Sequence, residues 1–221
     1  MTTPAPGWLT ALAARTDVAD HEWFATYAPP EDHERRSAVL ILFGPDAAGG
    51  EDVVLTERAH TLRSHPGQVS FPGGRIDPED DGSVAAALRE AEEEVGLDPV
   101  GVEVLATFPD IFLTPSQNAV TPVLAWWPVP AAVGVVDRGE VERVVSVRVA
   151  DLLDPANRFT TVFGPFRGPG FEVDGLFVWG FTAMLLSSLF ELSGTALPWD
   201  RSLERGLPER VRSPWMRGVD G

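Results

Sequence analysis

The sequence predicts an α/β fold with helices packed on a mixed β-sheet, on three observations. At 221 residues, with 44% of them apolar and 23% charged, the chain can bury one sizeable core and is too short for two comfortable ones. It contains several apolar runs of strand length, the clearest at residues 37–43, and a strongly amphipathic helical stretch at 83–95. Strands and helices mix without strict β-α alternation, which argues against a doubly wound parallel sheet.

In chain order, residues 8–15 are a short helix candidate, 37–43 a continuous apolar strand, and 53–57 the next strand after the turn-rich 44–50. Residues 69–71 form a brief strand, cut off by Pro72-Gly73-Gly74, which is read as a tight backbone turn. The helix at 83–95 follows, then strands at 102–108, 120–126 and 141–149, the last two bracketing a proline-rich loop at 128–130. The uncharged stretch 175–190 falls short of a bilayer span and lacks basic flanks, so it reads as a buried strand, 175–179, turning at Gly180 into a core helix that ends near Gly194. From Thr195 onward, glycine, proline and scattered arginine suggest an irregular tail. The expected organisation is an N-terminal helical extension packed on the domain (1–36), the main domain (37–194) and that tail (195–221).

Charge and composition remove several function classes. Seventeen basic against thirty-three acidic residues give a net charge of −16, a field that repels polyanions, so nucleic acid is not an expected partner. The absence of cysteine excludes disulfides, zinc–thiolate sites and thiol nucleophiles. All seventeen basic residues are arginine, so there is no lysine for a Schiff base or a phosphate loop. The N-terminus shows no basic start followed by an apolar run, and a cytoplasmic location without membrane attachment is expected.

The chemistry is concentrated between Leu55 and Leu97. In the helix, Val84, Leu88, Ala91 and Val95 are spaced as one apolar stripe, which places Glu90, Glu93 and Glu94 on another face. Glu90 and Glu94 are like charges four residues apart, in the half of the helix where the macrodipole also disfavours anions. Arg89 offers a partner to Glu92 or Glu93. A solvated acidic face would explain such a cluster, but the upstream Phe71-Pro-Gly-Gly74 can bring a carbonyl oxygen close to an ion, and hard oxygen ligands in this number suit magnesium or manganese.

These residues resemble the Nudix box of pyrophosphate hydrolases: Gly74, a spacer, then Arg89-Glu-Ala-Glu-Glu-Glu-Val-Gly-Leu97. The spacer departs from the family pattern, with Asp80 at the first acidic place and one extra residue before Arg89. That longer spacer, and Leu62-Arg-Ser-His-Pro-Gly-Gln-Val-Ser-Phe-Pro-Gly-Gly74 before it, resemble the coenzyme A diphosphatase branch of the family, with weaker support from Val120-Thr-Pro122 and residues 179–183. Where that branch usually has an aromatic, two residues before Val120, this chain has Asn118.

The resemblance implies a Nudix-type α/β/α sandwich with a mixed sheet, and hydrolysis of the phosphoanhydride of coenzyme A or acyl-CoA to 4′-phosphopantetheine and 3′,5′-ADP. It implies Mg2+ or Mn2+, which would neutralise charge on the diphosphate and activate water. Glu90 and Glu94 are then the principal metal ligands, with Glu93 a further ligand or proton acceptor and the Gly73 carbonyl a backbone ligand. Arg89 would hold the glutamates in place by ion pairing. Arg58, Arg63 and His65 are candidates for the substrate phosphates, since residues 55–75 carry a local excess of positive charge. Gln68 and Ser70 alternate with Val69 and Phe71, so one pair faces a pocket and the other the core. A glutamate outside the box often completes the site; Glu140 occupies the expected place before a strand, with Glu142 as the alternate. The partner is a small molecule, coenzyme A or a derivative, and a homodimer is compatible with this reading. ADP-ribose or a dinucleotide as substrate, or a catalytically silent ligand-sensing module, are the alternatives, and the intact glutamates argue against the last.

Overall fold

The computed structural model describes residues 2–31, 33–62 and 65–216, with the side chains of 213–216 outside that description. Its main sheet grows from the apolar run predicted first. Strand β1 (Arg35–Pro45) pairs in parallel with β7 (Asn118–Trp126) over nine residues, and antiparallel with β2 (Glu51–Arg58). Strand β1 is apolar without alternation because both its faces are covered. Ala38, Leu40 and Leu42 join one core cluster with helix α3 (Gly82–Val95), while Ile41 and Phe43 join another that includes Leu185, Leu186 and Leu189 of helix α5 (Gly180–Ser193). The sheet thus lies between helices, an α/β/α arrangement, and its single parallel pair among antiparallel ones makes it mixed, as predicted.

The eight-stranded sheet follows the order β3-β2-β1-β7-β5, with β3 at Val69–Ser70 and β5 at Glu103–Thr107. Off this path, β4 (Gly73–Arg75) pairs with β1, β6 (Ile111–Leu113) with β7, and β8 (Val141–Arg148) with β2. Val149 begins a short helix, α4 (Val149–Leu153), rather than ending the strand before it.

A second, four-stranded sheet was not foreseen. Strands β9 (Arg158–Phe163) and β10 (Phe166–Val173) form a hairpin around Gly164 and Pro165, extended by β11 (Leu176–Val178) and, in parallel with β9, by β12 (Glu204–Gly206). The stretch after Thr195, expected to be irregular, therefore contributes a strand, followed by helix α6 (Glu209–Met216). Burial of Leu207 and Val211 against Phe159, Phe177 and Trp179 supplies the apolar contact that orders it.

Helices α1 (Gly7–Ala13) and α2 (Glu22–Thr26) lie on the α5 side: Trp8 packs edge-on against Phe43 at 5.3 Å, and Trp126 donates its indole N–H to the Thr3 carbonyl at 2.8 Å. The chain leaves α3 and α5 through left-handed glycines, Gly96 (φ 70°) and Gly194 (φ 74°), the latter where the sequence placed the end of α5. Among the described residues no helix is long and apolar enough to cross a membrane.

Candidate active site

Helix α3 turns its small residues inward. Ala86, Ala87, Ala91 and Val95 are buried, while Val84 and Leu88 only edge the core, so the buried stripe is displaced from the predicted one. The alanines let α3 approach the sheet closely, and Glu94 is carried in with them, 5% exposed, whereas the Glu93 side chain is 59% exposed. The three glutamates are therefore not equivalent: Glu94 is buried, Glu90 is half-buried and Glu93 lies outward.

Glu94 is met by the backbone of β4, where the Gly73 N–H donates to its Oε2 at 3.1 Å. Residues 73–75 form a strand rather than a free turn, with Gly73 opposite Val39 and Gly74 opposite Ala38 of β1. Gly73 has φ 148°, and a Cβ on it would sit 2.3 Å from the Ala38 carbonyl oxygen. A Cβ on Gly74 would sit 2.5–2.6 Å from the Glu90 carboxylate. Both glycines exist for close approach, the first to backbone and the second to an acidic side chain.

Arg89 organises the outer part. Its Nε and Nη2 donate to the two oxygens of Asp80, both at 2.9 Å, and its Nη1 donates to Glu90 at 3.2 Å and Glu93 at 3.1 Å. Nη2 also donates to the Arg75 carbonyl at 3.0 Å, tying α3 to β4. The bidentate arginine holds the Asp80 carboxyl down at about 2. Sequence reading noted Asp80 only as a departure in the spacer; its spacing from Arg89 was the available signal for this pair. Glu92 takes no part in it.

Burial works the opposite way on the ligand candidates. Desolvation pushes the Glu94 carboxyl up to about 7, partly offset by the Gly73 N–H and by nearby Arg58, and reinforced by Glu90 and Glu140. Glu90 is also raised, again chiefly by desolvation, with Arg89 opposing and Glu93 and Glu140 adding repulsion. Glu140 is thus near enough to feel both glutamates. The loop before it explains why: Gly134 N–H donates to the Val95 carbonyl at 3.0 Å and Val136 N–H to the Glu94 carbonyl at 3.1 Å, capping the exposed end of α3. The Glu140 carbonyl in turn accepts from the Ala59 N–H at 2.8 Å, at the end of β2. Glu142 is exposed further along β8.

Arg58 completes this constellation. Strand β2 is paired on both sides, so Arg58 is not an edge charge, and the pairing with β8 slips between Glu57 and Arg58. Such a bulge re-aims a side chain. The Arg58 guanidinium influences Glu94 on one side and His65 on the other, and its Nε is buried without an acceptor among the described residues. Residues 65–68 make a turn closed by the Gln68 N–H to the His65 carbonyl at 3.2 Å. Burial lowers the His65 pKa, with Arg58 adding to this and a side-chain hydrogen bond donated to Gln68 opposing it, so its surroundings favour the neutral ring.

Val69 and Phe71 enter the core, and Gln68 and Ser70 lie on the half-buried side. Ser70 shares a 2.9 Å hydrogen bond with Thr56. Arg63 lies outside the described residues. Asn118 is joined to Ser37, its Nδ2 donating to Oγ at 3.0 Å.

The donor set suits a hard divalent cation: carboxylate oxygens, one of them buried, facing a glycine pair with no side chains in the way. Among the described residues no three histidine, aspartate or glutamate side chains stand close enough to enclose an ion by themselves.

The NUDIX domain family matches residues 33–163. The Nudix hydrolase NudL of Salmonella paratyphi B is 38% identical over 181 residues, covering 75% of this chain and 88% of its own length. A relative from Schizosaccharomyces pombe named "Probable nudix hydrolase C6G9.05" is 32% identical over 164 residues, covering 72% of this chain; the match spans 56% of that relative's length. Among solved structures, a Nudix hydrolase from M. smegmatis, RenU, superposes with a TM-score of 0.51 at 20% identity, covering 75% of this chain and 89% of the other, a likeness of fold.

Proposed function

This chain belongs to the Nudix family, and from that premise we propose that it hydrolyses the diphosphate bond of coenzyme A or an acyl-CoA, giving 4′-phosphopantetheine, or its acyl form, and 3′,5′-ADP. The observation that carries this reading is the close approach of Glu90 and Glu94 to the glycine pair of β4, with the charges of Glu140 and Arg58 near enough to act on Glu94 and the Arg58 Nε buried without an acceptor among the described residues. Acid groups that can hold divalent cations thus stand beside a guanidinium that can take a diphosphate oxygen. The stretch from Leu62 to Gly74, with its resemblance to the coenzyme A diphosphatase branch, supports coenzyme A over ADP-ribose.

Glu90, Glu94 and the Gly73 carbonyl would hold Mg2+ or Mn2+, which supplies charge neutralisation at the diphosphate and activation of water. Glu93, exposed and tethered by Arg89, or Glu140 accepts the proton from the attacking water. Arg89 is a positioning residue, because its donors are engaged by Asp80, Glu90, Glu93 and the Arg75 carbonyl. Arg58 orients the diphosphate through its free edge, and His65, Gln68 and Ser70 line the way to it.

Coenzyme A differs from dephospho-coenzyme A by a 3′-phosphate, which we assign to Arg63. A charge-assisted contact of this kind is worth about 1.5–3 kcal/mol, or roughly ten- to a hundredfold in kcat/KM. Steady-state kinetics should show coenzyme A preferred by that factor, with Arg63→Ala shrinking the preference and Arg58→Ala lowering both rates together. Equal rates on the two compounds in the wild-type enzyme, or faster cleavage of ADP-ribose, would replace coenzyme A by another nucleoside diphosphate compound as the substrate.

A further inference from the structure

Arg158 opens β9 with only 1% of its surface exposed. Its guanidinium lies over two rings, 4.9 Å from the Phe171 centroid and 4.8 Å from that of Trp199. Of its donors, Nη2 reaches Ser187 Oγ at 2.8 Å, while Nε and Nη1 are buried without an acceptor among the described residues. A second guanidinium, Arg201, lies over the same indole at 5.5 Å. The carboxylate beside them, Glu191, accepts from Arg201 at 3.1 Å. Arg158, Glu191, Trp199 and Arg201 line a cavity of about 370 Å³ together with Leu197 and Pro198.

A buried cation with unmatched donors is costly, and an apolar side chain of similar volume would commonly be as stable or more so. Two guanidinium groups beside one carboxylate leave a local net charge of +1 in a chain of −16. Burial lowers the Arg158 pKa to about 10, which leaves it protonated at neutral pH. The location is separate from the glutamate cluster. Gly180, where α5 begins, lies against Gln68, and Ser187 and Glu191 follow seven and eleven residues later, roughly 10–16 Å along the helix axis.

We propose that this cavity is a second binding site, for a small oxyanion of the phosphate or carboxylate class, held by the unmatched donors of Arg158 and closed by Arg201. An oxyanion supplies the in-plane acceptors that Nε and Nη1 of this guanidinium lack among the described residues, and it relieves the repulsion between the two arginines. The indole of Trp199 fixes both cations toward one point.

The test uses the full chain, titrated with sodium phosphate, sodium acetate or sodium chloride at matched ionic strength, with thermal unfolding as the readout. Phosphate or acetate should raise Tm by several degrees over chloride in the wild type. The same shift should appear in Arg58→Ala, whose altered residue belongs to the glutamate cluster, and should vanish in Arg158→Met. Whichever anion acts identifies the class. Should Arg158→Met fail to fold, the surface variant Arg201→Ala decides, with a weakened shift expected. Identical Tm in all three salts would overturn the proposal. So would a shift that persists undiminished in Arg158→Met or Arg201→Ala, or one that disappears in Arg58→Ala.

Discussion

Glu94 occupies a position that stability alone would not choose. Its carboxylate is buried, raised by desolvation and faced by Glu90 and Glu140, with one backbone N–H and a nearby arginine in partial compensation. Glu94→Gln removes the charge while the amide oxygen can still accept from Gly73. Without metal, the variant should therefore gain on the order of 1 kcal/mol in thermal unfolding at pH 8. Its turnover should fall by roughly a hundredfold or more, the scale of losing a preorganised charge at a reacting centre. Full activity in the variant would remove Glu94 from the metal site. The residue types of this cluster were legible in the sequence because they carry chemistry at recognisable spacing. The burial of Glu94 was not: a stripe drawn through Val84, Leu88, Ala91 and Val95 put it on another face, whereas the helix buries its alanines. Nor could spacing show that Arg58 lies beside Glu94, which depends on a slip in the pairing of β2 with β8.

At the scale of elements, β4 joins the sheet to the site, and its two glycines have separable roles. Gly73→Ala places a methyl 2.3 Å from a backbone oxygen that cannot move without shifting β1. It should cost several kcal/mol and lower Tm sharply. Gly74→Ala first meets the carboxylate of the Glu90 side chain, at 2.5–2.6 Å, rather than backbone. The fold should survive, with a change in Tm of a few degrees, while activity drops because Glu90 is displaced. Circular dichroism melts beside turnover assays distinguish the two, and equal loss of stability in both variants would make β4 a purely structural element. Pro72-Gly73-Gly74 reads as a tight turn because a proline and two glycines cut off the apolar run at 69–71; only the neighbouring β1 reveals that the chain continues as a paired strand. The hairpin of β9 and β10 was hidden for a similar reason. Gly168, Pro169 and Gly170 look like loop residues, yet all three pair with β9, and Gly170 leaves room for Thr161 and Phe159 where a Cβ would collide with them.

At the scale of the molecule, two layers of core meet across one mixed sheet, and both were implied by β1, whose unbroken apolar run is explained by burial on two faces. The four-stranded sheet could not be read the same way, since part of its closure comes from β12, a three-residue strand supplied by distant chain. The large negative charge makes the arginines local exceptions: Arg58 serves the glutamate cluster and Arg158 the cavity beyond α5. The proposed activity is cleavage of coenzyme A at its diphosphate, with a divalent ion that Glu90 and Glu94 would hold. Its most direct test is to incubate the purified chain with coenzyme A and Mg2+ or Mn2+ and identify the products by mass. The expected products are 4′-phosphopantetheine and 3′,5′-ADP in equal amounts, lost on chelation of the metal and in Glu94→Gln. Intact coenzyme A under conditions where ADP-ribose or a dinucleotide is cleaved would contradict it.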